Sequence, residues 1–317
     1  MAEAKIKNVS SKKEAVIIAT RNRPSDLKRT LESITHADSS DDLLIMIIDG
    51  SNSAQARANQ HVLDKFSLIT TVYHSFPGRP AGTRQRNYGV DHLPDSVQLV
   101  HFIDDDVKVS PDYFRQITST FQDHPRVGGV GGFIVEQNPI SQSQSISLRR
   151  LFFLDAKEPG SVLPSGHVSY FPESDQIHPV QWLSTCSSSY RRAIFDEYRF
   201  DPAVEGPSPR LEDLDFSHRV RQSWTLLFQP KARLIHYVSP VNRLKRKRFV
   251  AERLIRRYWF VEKNIRHPLR KPAFWWATLG QTLAMLTSSY PDKWKALRGH
   301  LRGIRDVLTR NHPLLES

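Results

Sequence analysis

The chain has 317 residues, 39% of them hydrophobic and 25% charged, a size that can bury a large core in one domain or two and a composition that excludes intrinsic disorder. A single cysteine, Cys186, excludes an intramolecular disulfide and any Cys-rich zinc site; it points to a reducing compartment and reads as small buried filler. The net charge of +12 is uneven: residues 1–230 hold 25 basic and 28 acidic side chains, residues 231–271 hold 14 and 2, and residues 272–317 hold 6 and 3, so the excess lies in the last third.

In chain order, residues 1–13 are charged and polar, offer no apolar stretch as a secretion signal, and read as a flexible tail. Glu14–Thr20 predicts a strand and Pro24–Thr35 a helix with Leu27, Leu31 and Ile34 on one face. Leu43–Asp49 predicts a second strand ending in a carboxylate, followed by the turn Gly50-Ser51 and a helix over about 54–66. A short strand over 68–74, a Pro/Gly loop and a polar helix from about Ala81 come next, then the apolar run 97–103 and a helix from Pro111 with Phe114, Ile117 and Phe121 at helical spacing. This alternation predicts an α/β fold with a mainly parallel sheet flanked by helices. After 127–135 the pattern loosens into a polar loop, roughly 136–147, and shorter strands. A boundary near 237–242 closes a unit over residues 14–238.

Residues 239–317 read as a basic, amphipathic helical extension. Asn242 is a plausible N-cap, and Val250, Leu254, Tyr258, Val261 and Ile265 follow on one helical face. Residues 273–290 carry no charge but include Gly280, Gln281 and several hydroxyls, which suits an interfacial or buried helix better than a membrane span. A last helix gathers Trp294, Leu297, Leu301, Ile304 and Leu308 on one face. Such helices suit an anionic bilayer, where each Lys or Arg near the surface contributes on the order of 1 kcal/mol. Packing on the rest of the chain, or a homodimer contact, is the other use.

Asp104-Asp105-Asp106 follows the buried-strand run 97–103 directly. Adjacent carboxylates raise one another's proton affinity, so three together point to a divalent cation that offsets the repulsion. Open α/β sheets bind ligands beyond the carboxyl ends of their strands, which is where this cluster lies. Glu212-Asp213 is a second acidic focus, in the first turn of a helix predicted over 211–222, where the helix dipole favours an ionised carboxylate.

Taken in order, Thr20-Arg21-Asn22-Arg23-Pro24, Asp49-Gly50-Ser51, Arg86-Asn87-Tyr88-Gly89, Asp104-Asp105-Asp106, and Glu212-Asp213 with Asp215 and Arg219 resemble the family 2 glycosyltransferases of GT-A fold, over about residues 14–237. The resemblance implies transfer of a sugar from a nucleotide-sugar donor, a UDP-sugar favoured, to a hydroxyl of a glycan or lipid-linked acceptor. Inversion at the anomeric carbon and Mg²⁺ or Mn²⁺ as cofactor go with it. It implies Asp106 as the direct metal ligand with His236 near the metal or diphosphate, Asp104 facing the ribose or sugar, and Asp105 contributing field or water-mediated ligation. Thr20, Arg23 and Asp49 would shape the nucleotide pocket, and Arg86, more than Arg84, would meet the diphosphate. Asp213 is the expected general base, with Glu212 orienting the acceptor, Arg219 bracing the turn, and Trp182 offered to a sugar face. Thr185 and Ser187 to Ser189 depart from the family's usual Gly-Asn pattern, which weakens the inferred acceptor contacts.

Two other classes compete. A metal-dependent nucleotidyltransferase would release pyrophosphate and gives Glu212-Asp213 no role. A non-catalytic basic module for membrane or nucleic acid leaves acids at three strand or helix ends unexplained, so no nucleic-acid partner is expected. The expected location is cytoplasmic, peripheral at the inner face of the cell membrane.

Overall fold

The computed structural model describes residues 9, 11–136, 146–204, 211–241, 245–289 and 292–316. Most of the expected tail and polar loop, and the expected cap Asn242, lie outside those residues. The first half runs β1 (Glu14–Thr20), α1 (Pro24–Thr35), β2 (Leu43–Asp49), α2 (Ser53–Leu63), β3 (Thr70–Ser75), α3 (Gly82–Asp91), β4 (Leu99–Ile103), β5 (Val107–Val109), α4 (Tyr113–Asp123) and β6 (Val127–Glu136). The second half adds α5 (Ile146–Leu151), β7 (His178–Val180), β8 (Ser187–Arg191), α6 (Glu212–Val220), β9 (Thr225–His236), α7 (Arg246–Asn264), α8 (Arg270–Thr287) and α9 (Lys293–Leu308).

One sheet carries the order β3-β2-β1-β4-β8-β6-β9-β5, with β7 paired to β9 off that path. From β3 to β4 every pairing is parallel; β8 is antiparallel to both β4 and β6. The expected parallel character therefore holds from β3 to β4 and returns between β6 and β9, and the whole sheet is mixed. Alternation along β1 explains its two covered faces. Val16 and Ile18 join Leu27, Leu31 and Ile34 of α1 and Phe114, Ile117 and Phe121 of α4, whereas Ala15 and Ile17 join Val90 of α3 and Phe216 and Val220 of α6. In β2 all seven residues are buried, as a central strand requires. Gly89 lets α3 lie close on the sheet, since a Cβ there would sit 2.8 Å from Ile17 Cγ2.

Strand β9 is longer than the apolar run 232–237 suggests. It starts at Thr225, and Pro230 falls in the register shift against β6 between Gly132 and Phe133, where no ladder hydrogen bond is needed from its nitrogen.

A third apolar cluster joins Trp182, Val204 and Leu214 to Leu254, Ile255, Trp259, Phe260 and Val261 of α7 and Phe274 of α8. The terminal helices thus share a core with the segment that carries the second acidic focus. Among the described residues, no helix is long and apolar enough to cross a membrane.

Candidate active site

The carboxyl ends of β1, β2 and β4 bring Thr20, Asp49 and the triple aspartate to one edge of the sheet. Asp104 is partly exposed, while Asp105 and Asp106 are buried. Thr20 donates its hydroxyl to Asp105 Oδ2 at 2.7 Å, and Arg23 Nη1 donates to Asp105 Oδ1 at 3.0 Å. Burial, with Asp106 and Asp104 beside it, still pushes Asp105 up to about 7, because these outweigh the pull of Arg23 and Thr20. Thr20 is itself buried, so it bears on a ligand only through Asp105.

Asp106 shows the opposite balance. Burial would raise it, but His236 Nε2 lies 3.0 Å from Oδ1, the Ser239 N–H donates to Oδ2 at 2.8 Å, and Arg23 stands 3.7 Å away. Together these hold Asp106 well below the usual carboxylate range, and against the opposing effect of burial, Asp106, Cys186 and Asp104 hold His236 well above the usual imidazole range. Asp104, Asp106 and His236 offer ligand atoms all within 4.8 Å of one another.

The second acidic focus lies across Arg86. This buried guanidinium donates from Nη2 to Asp104 Oδ1 at 2.8 Å and from Nη1 to Glu212 Oε1 at 3.2 Å. Asp213 follows in the first turn of α6, its Oδ1 accepting the Leu214 N–H at 2.8 Å. The dipole was expected to keep Asp213 ionised. Instead burial, and then the charge of Glu212, push it up to about 7, with Asp104 adding to this and Arg86 opposing.

The sequence profile described as "Glycosyl transferase family 2" matches residues 15–199, more than half of the chain. The chain belongs to that family. It is a glycosyltransferase, and its sheet with flanking helices is the GT-A fold. Mannosyltransferase PcManGT from Pyrobaculum calidifontis, solved with GDP-Man and Mn²⁺, superposes with a TM-score of 0.59 at 13% identity, over 98% of this chain and 93% of that one. S. aureus TarS 1–349 gives 0.55 at 13% identity, over 93% and 81%. GalNAc-T7, solved with UDP, GalNAc and Mn²⁺, gives 0.59 at 14%, over 95% and 58%. At such identities the likeness is one of fold. No curated protein matches in sequence.

In this family 2 glycosyltransferase the remaining expected residues divide. Asp49 is buried and accepts from the Ser51 N–H, the Asn59 amide and the Tyr73 hydroxyl at 2.7–2.8 Å, so in this arrangement it orders the turn after β2. Arg84 is exposed on α3. Trp182 corrects the expectation of a sugar platform: it is buried, stacked on Phe171 at 5.1 Å, and donates its indole N–H to the Ser169 carbonyl at 3.1 Å. At 6% exposure it leaves no open ring face for a sugar in this arrangement. Glu212, expected to orient the acceptor, is buried against Arg86 and sets that side chain in place instead. Cys186 is buried in the apolar core, as expected, and it also lies against His236.

Sequence reasoning missed Gln85, whose amide donates to the carbonyls of Thr20 and Ile48 at 2.9 and 2.8 Å and staples the ends of β1 and β2 beneath the site. It also missed Asn59 and Tyr73 on Asp49, and Ser239 on Asp106. Each acts through a contact distant in sequence, so no local pattern marks it.

A divalent cation fits this chain. Two carboxylates and an imidazole converge, one carboxylate is held ionised, and oxygen-rich donor sets of this kind suit Mg²⁺ or Mn²⁺.

Proposed function

We propose that the chain moves a sugar from a nucleotide-sugar donor to an acceptor hydroxyl with inversion at the anomeric carbon, Asp213 serving as general base. The observation that supports this most is Arg86, which ties Asp104 at the metal-binding end to Glu212, the neighbour of the base, on a single guanidinium. In the step proposed, the acceptor oxygen forms a bond to the anomeric carbon as Asp213 takes its proton. The bond from that carbon to the diphosphate oxygen breaks, and the electron pair leaves on the nucleoside diphosphate. A divalent cation held by Asp104, Asp106 and His236 would supply positive charge to that leaving group. Asp49, Thr20, Arg23 and Asp105 then belong to the nucleotide side of the cleft. UDP is the favoured nucleotide.

Thermal unfolding with UDP, GDP and dTDP, each with Mn²⁺ or EDTA, tests the donor side. A nucleotide at 100 times its dissociation constant should stabilise the fold by about 2.7 kcal/mol, with Mn²⁺ only. Equal shifts in Mn²⁺ and EDTA for all three would overturn the reading. Pyrophosphate as product from a panel of nucleotide sugars would favour the nucleotidyltransferase alternative.

The acceptor we infer is a glycan or lipid-linked molecule at an anionic membrane surface, with the enzyme peripheral at the inner face of the cell membrane. Support comes from α8, whose Trp276, Leu279, Leu283 and Leu286 follow helical spacing and are each 42–46% exposed. Exposed Ile146, Leu148 and Leu151 of α5 extend this apolar strip, joined to it by the Trp276 indole N–H on the Leu151 carbonyl at 2.8 Å. The basic excess of residues 231–271 supplies the complementary charge. The full chain should co-sediment with anionic vesicles and be released in part by salt, since apolar insertion resists screening. A double change of Leu279 and Leu283 to Asp should abolish the salt-resistant part. Sedimentation unaffected by that change would remove the membrane from the reading.

A further inference from the structure

Between α7, α8 and α9 lies a cavity of about 70 Å³ lined by Arg253, Leu254, Arg257, Gln281, Met285 and His300 among others. It shares no residue with the acidic cleft. Arg257 is the unusual member, because it is only 6% exposed and, among the described residues, no carboxylate pairs with it. The other buried arginines among the described residues are neutralised. Arg86 sits between Asp104 and Glu212, and Arg256 donates to Glu252 Oε2 at 3.3 Å and to the Val204 carbonyl at 2.6 Å.

What surrounds Arg257 adds positive charge. Arg253, exposed one turn earlier on the same helix, repels it, and burial with that repulsion pushes its guanidinium down to about 9. Burial, and then Arg257, Arg253 and Arg149, hold the nearby His167 neutral, well below the usual range. Its Nε2 lies 3.0 Å from the Gln281 amide. Gly166, in the left-handed region at φ +75°, closes the chain over the Arg257 stem, where a Cβ would stand 3.2 Å from Arg257 Cγ. A buried cation is tolerated when something pairs with it. The cavity exceeds several-fold the ~10–15 Å³ that one water needs, and planar guanidinium forks match phosphate oxygens.

We propose that this cavity binds a phosphate group, inorganic or carried as the headgroup of an anionic lipid, with Arg257 and Arg253 as its cationic partners. The apolar wall of Leu254 and Met285 adjoins the α8 helix whose Leu283 and Leu286 are exposed, which suits a headgroup with a hydrocarbon part beside it.

The test uses the full chain and reads thermal stability in inorganic phosphate against chloride at matched ionic strength. Wild type should gain stability in phosphate. Arg257→Met should be more stable than wild type in chloride, since an unpaired buried charge is gone, and should lose the response to phosphate. The exposed Arg253→Gln, which leaves the core untouched, should weaken that response severalfold, and keeps the test decisive if Arg257→Met does not fold. Vesicles of phosphatidylglycerol against phosphatidylcholine distinguish the source: protection by the anionic vesicles that exceeds protection by phosphate, and falls in Arg253→Gln more than in the α9 control Arg298→Gln, assigns a lipid headgroup. A response to phosphate alone assigns the free anion. Equal stability of wild type in phosphate, chloride and both vesicles, or a phosphate response unchanged in Arg257→Met or Arg253→Gln, would overturn the proposal. Sugar transfer enters none of these readouts, so failure here leaves the catalytic reading untouched.

Discussion

Replacing Asp213 by Asn is expected to cut turnover by about 10²–10⁴-fold while donor affinity changes little, because the shape is kept and the proton acceptor is lost. Wild-type kcat/KM should rise with pH through about 7, where burial and Glu212 place the Asp213 carboxyl, and the residual activity of the variant should lack that limb. The groups that face it are Glu212 on its own helix, Asp104 at the end of β4, Arg86 on α3 and the Tyr190 hydroxyl on β8. Stability should move the other way. An acid raised from 3.8 to about 7 on folding favours the folded state while protonated, so wild type loses stability as pH rises from about 4 to 7, and the variant loses less, keeping the part owed to Asp105. Asp213→Asn should therefore unfold at a higher temperature than wild type at pH 8 while being nearly inactive. Retention of more than about a tenth of wild-type transfer would contradict the assignment.

Asp106→Asn is expected to lower Mn²⁺ affinity, measured by calorimetry with a nucleoside diphosphate present, by at least about 100-fold, the upper range for losing even a supporting partner of a ligand. Metal-dependent transfer should disappear with it. The fold should suffer as well, since the carboxylate also receives His236 and the Ser239 N–H. A cost of about 1–3 kcal/mol follows from leaving such donors with a poorer acceptor. Denaturant unfolding without metal isolates that cost. Unchanged Mn²⁺ binding would remove Asp106 from the metal site.

Local pattern made the first half of the chain legible. Glu14–Thr20, Pro24–Thr35 and Leu43–Asp49 end where the sequence places their ends, because alternation, a Pro at a helix start and a carboxylate closing an apolar run are all short-range signals. The acidic foci were visible for the same reason. Their environment was not: that Asp213 is raised depends first on burial, and that Asp106 is lowered depends on His236 and Ser239 meeting it across the fold. Sequence leaves Trp182 open between a sugar platform and a core residue, because a tryptophan beside polar residues looks the same whether it lines a cleft or fills a core. Only the packing of α7 and α8 over it decides.

Asp215 bears on how far parts of this enzyme are interchangeable with those of relatives. It is fully buried in α6, two residues beyond Asp213, and its oxygens are shared out between Arg219 of the same helix and Lys263 and Asn264 at the end of α7, all at 2.8–3.0 Å. A graft that exchanges the terminal helices without a lysine at this seam would leave Asp215 Oδ1 without its partners, with Arg219 alone on Oδ2, two residues from Asp213. Leaving a buried acceptor unsatisfied in this way costs about 1–3 kcal/mol, a sizeable share of the roughly 5–15 kcal/mol that holds a domain folded. The two sides of the seam must be inherited together, so trading residues 246–316 alone is expected to loosen the helix that carries Asp213, seen as a lower unfolding temperature of the graft.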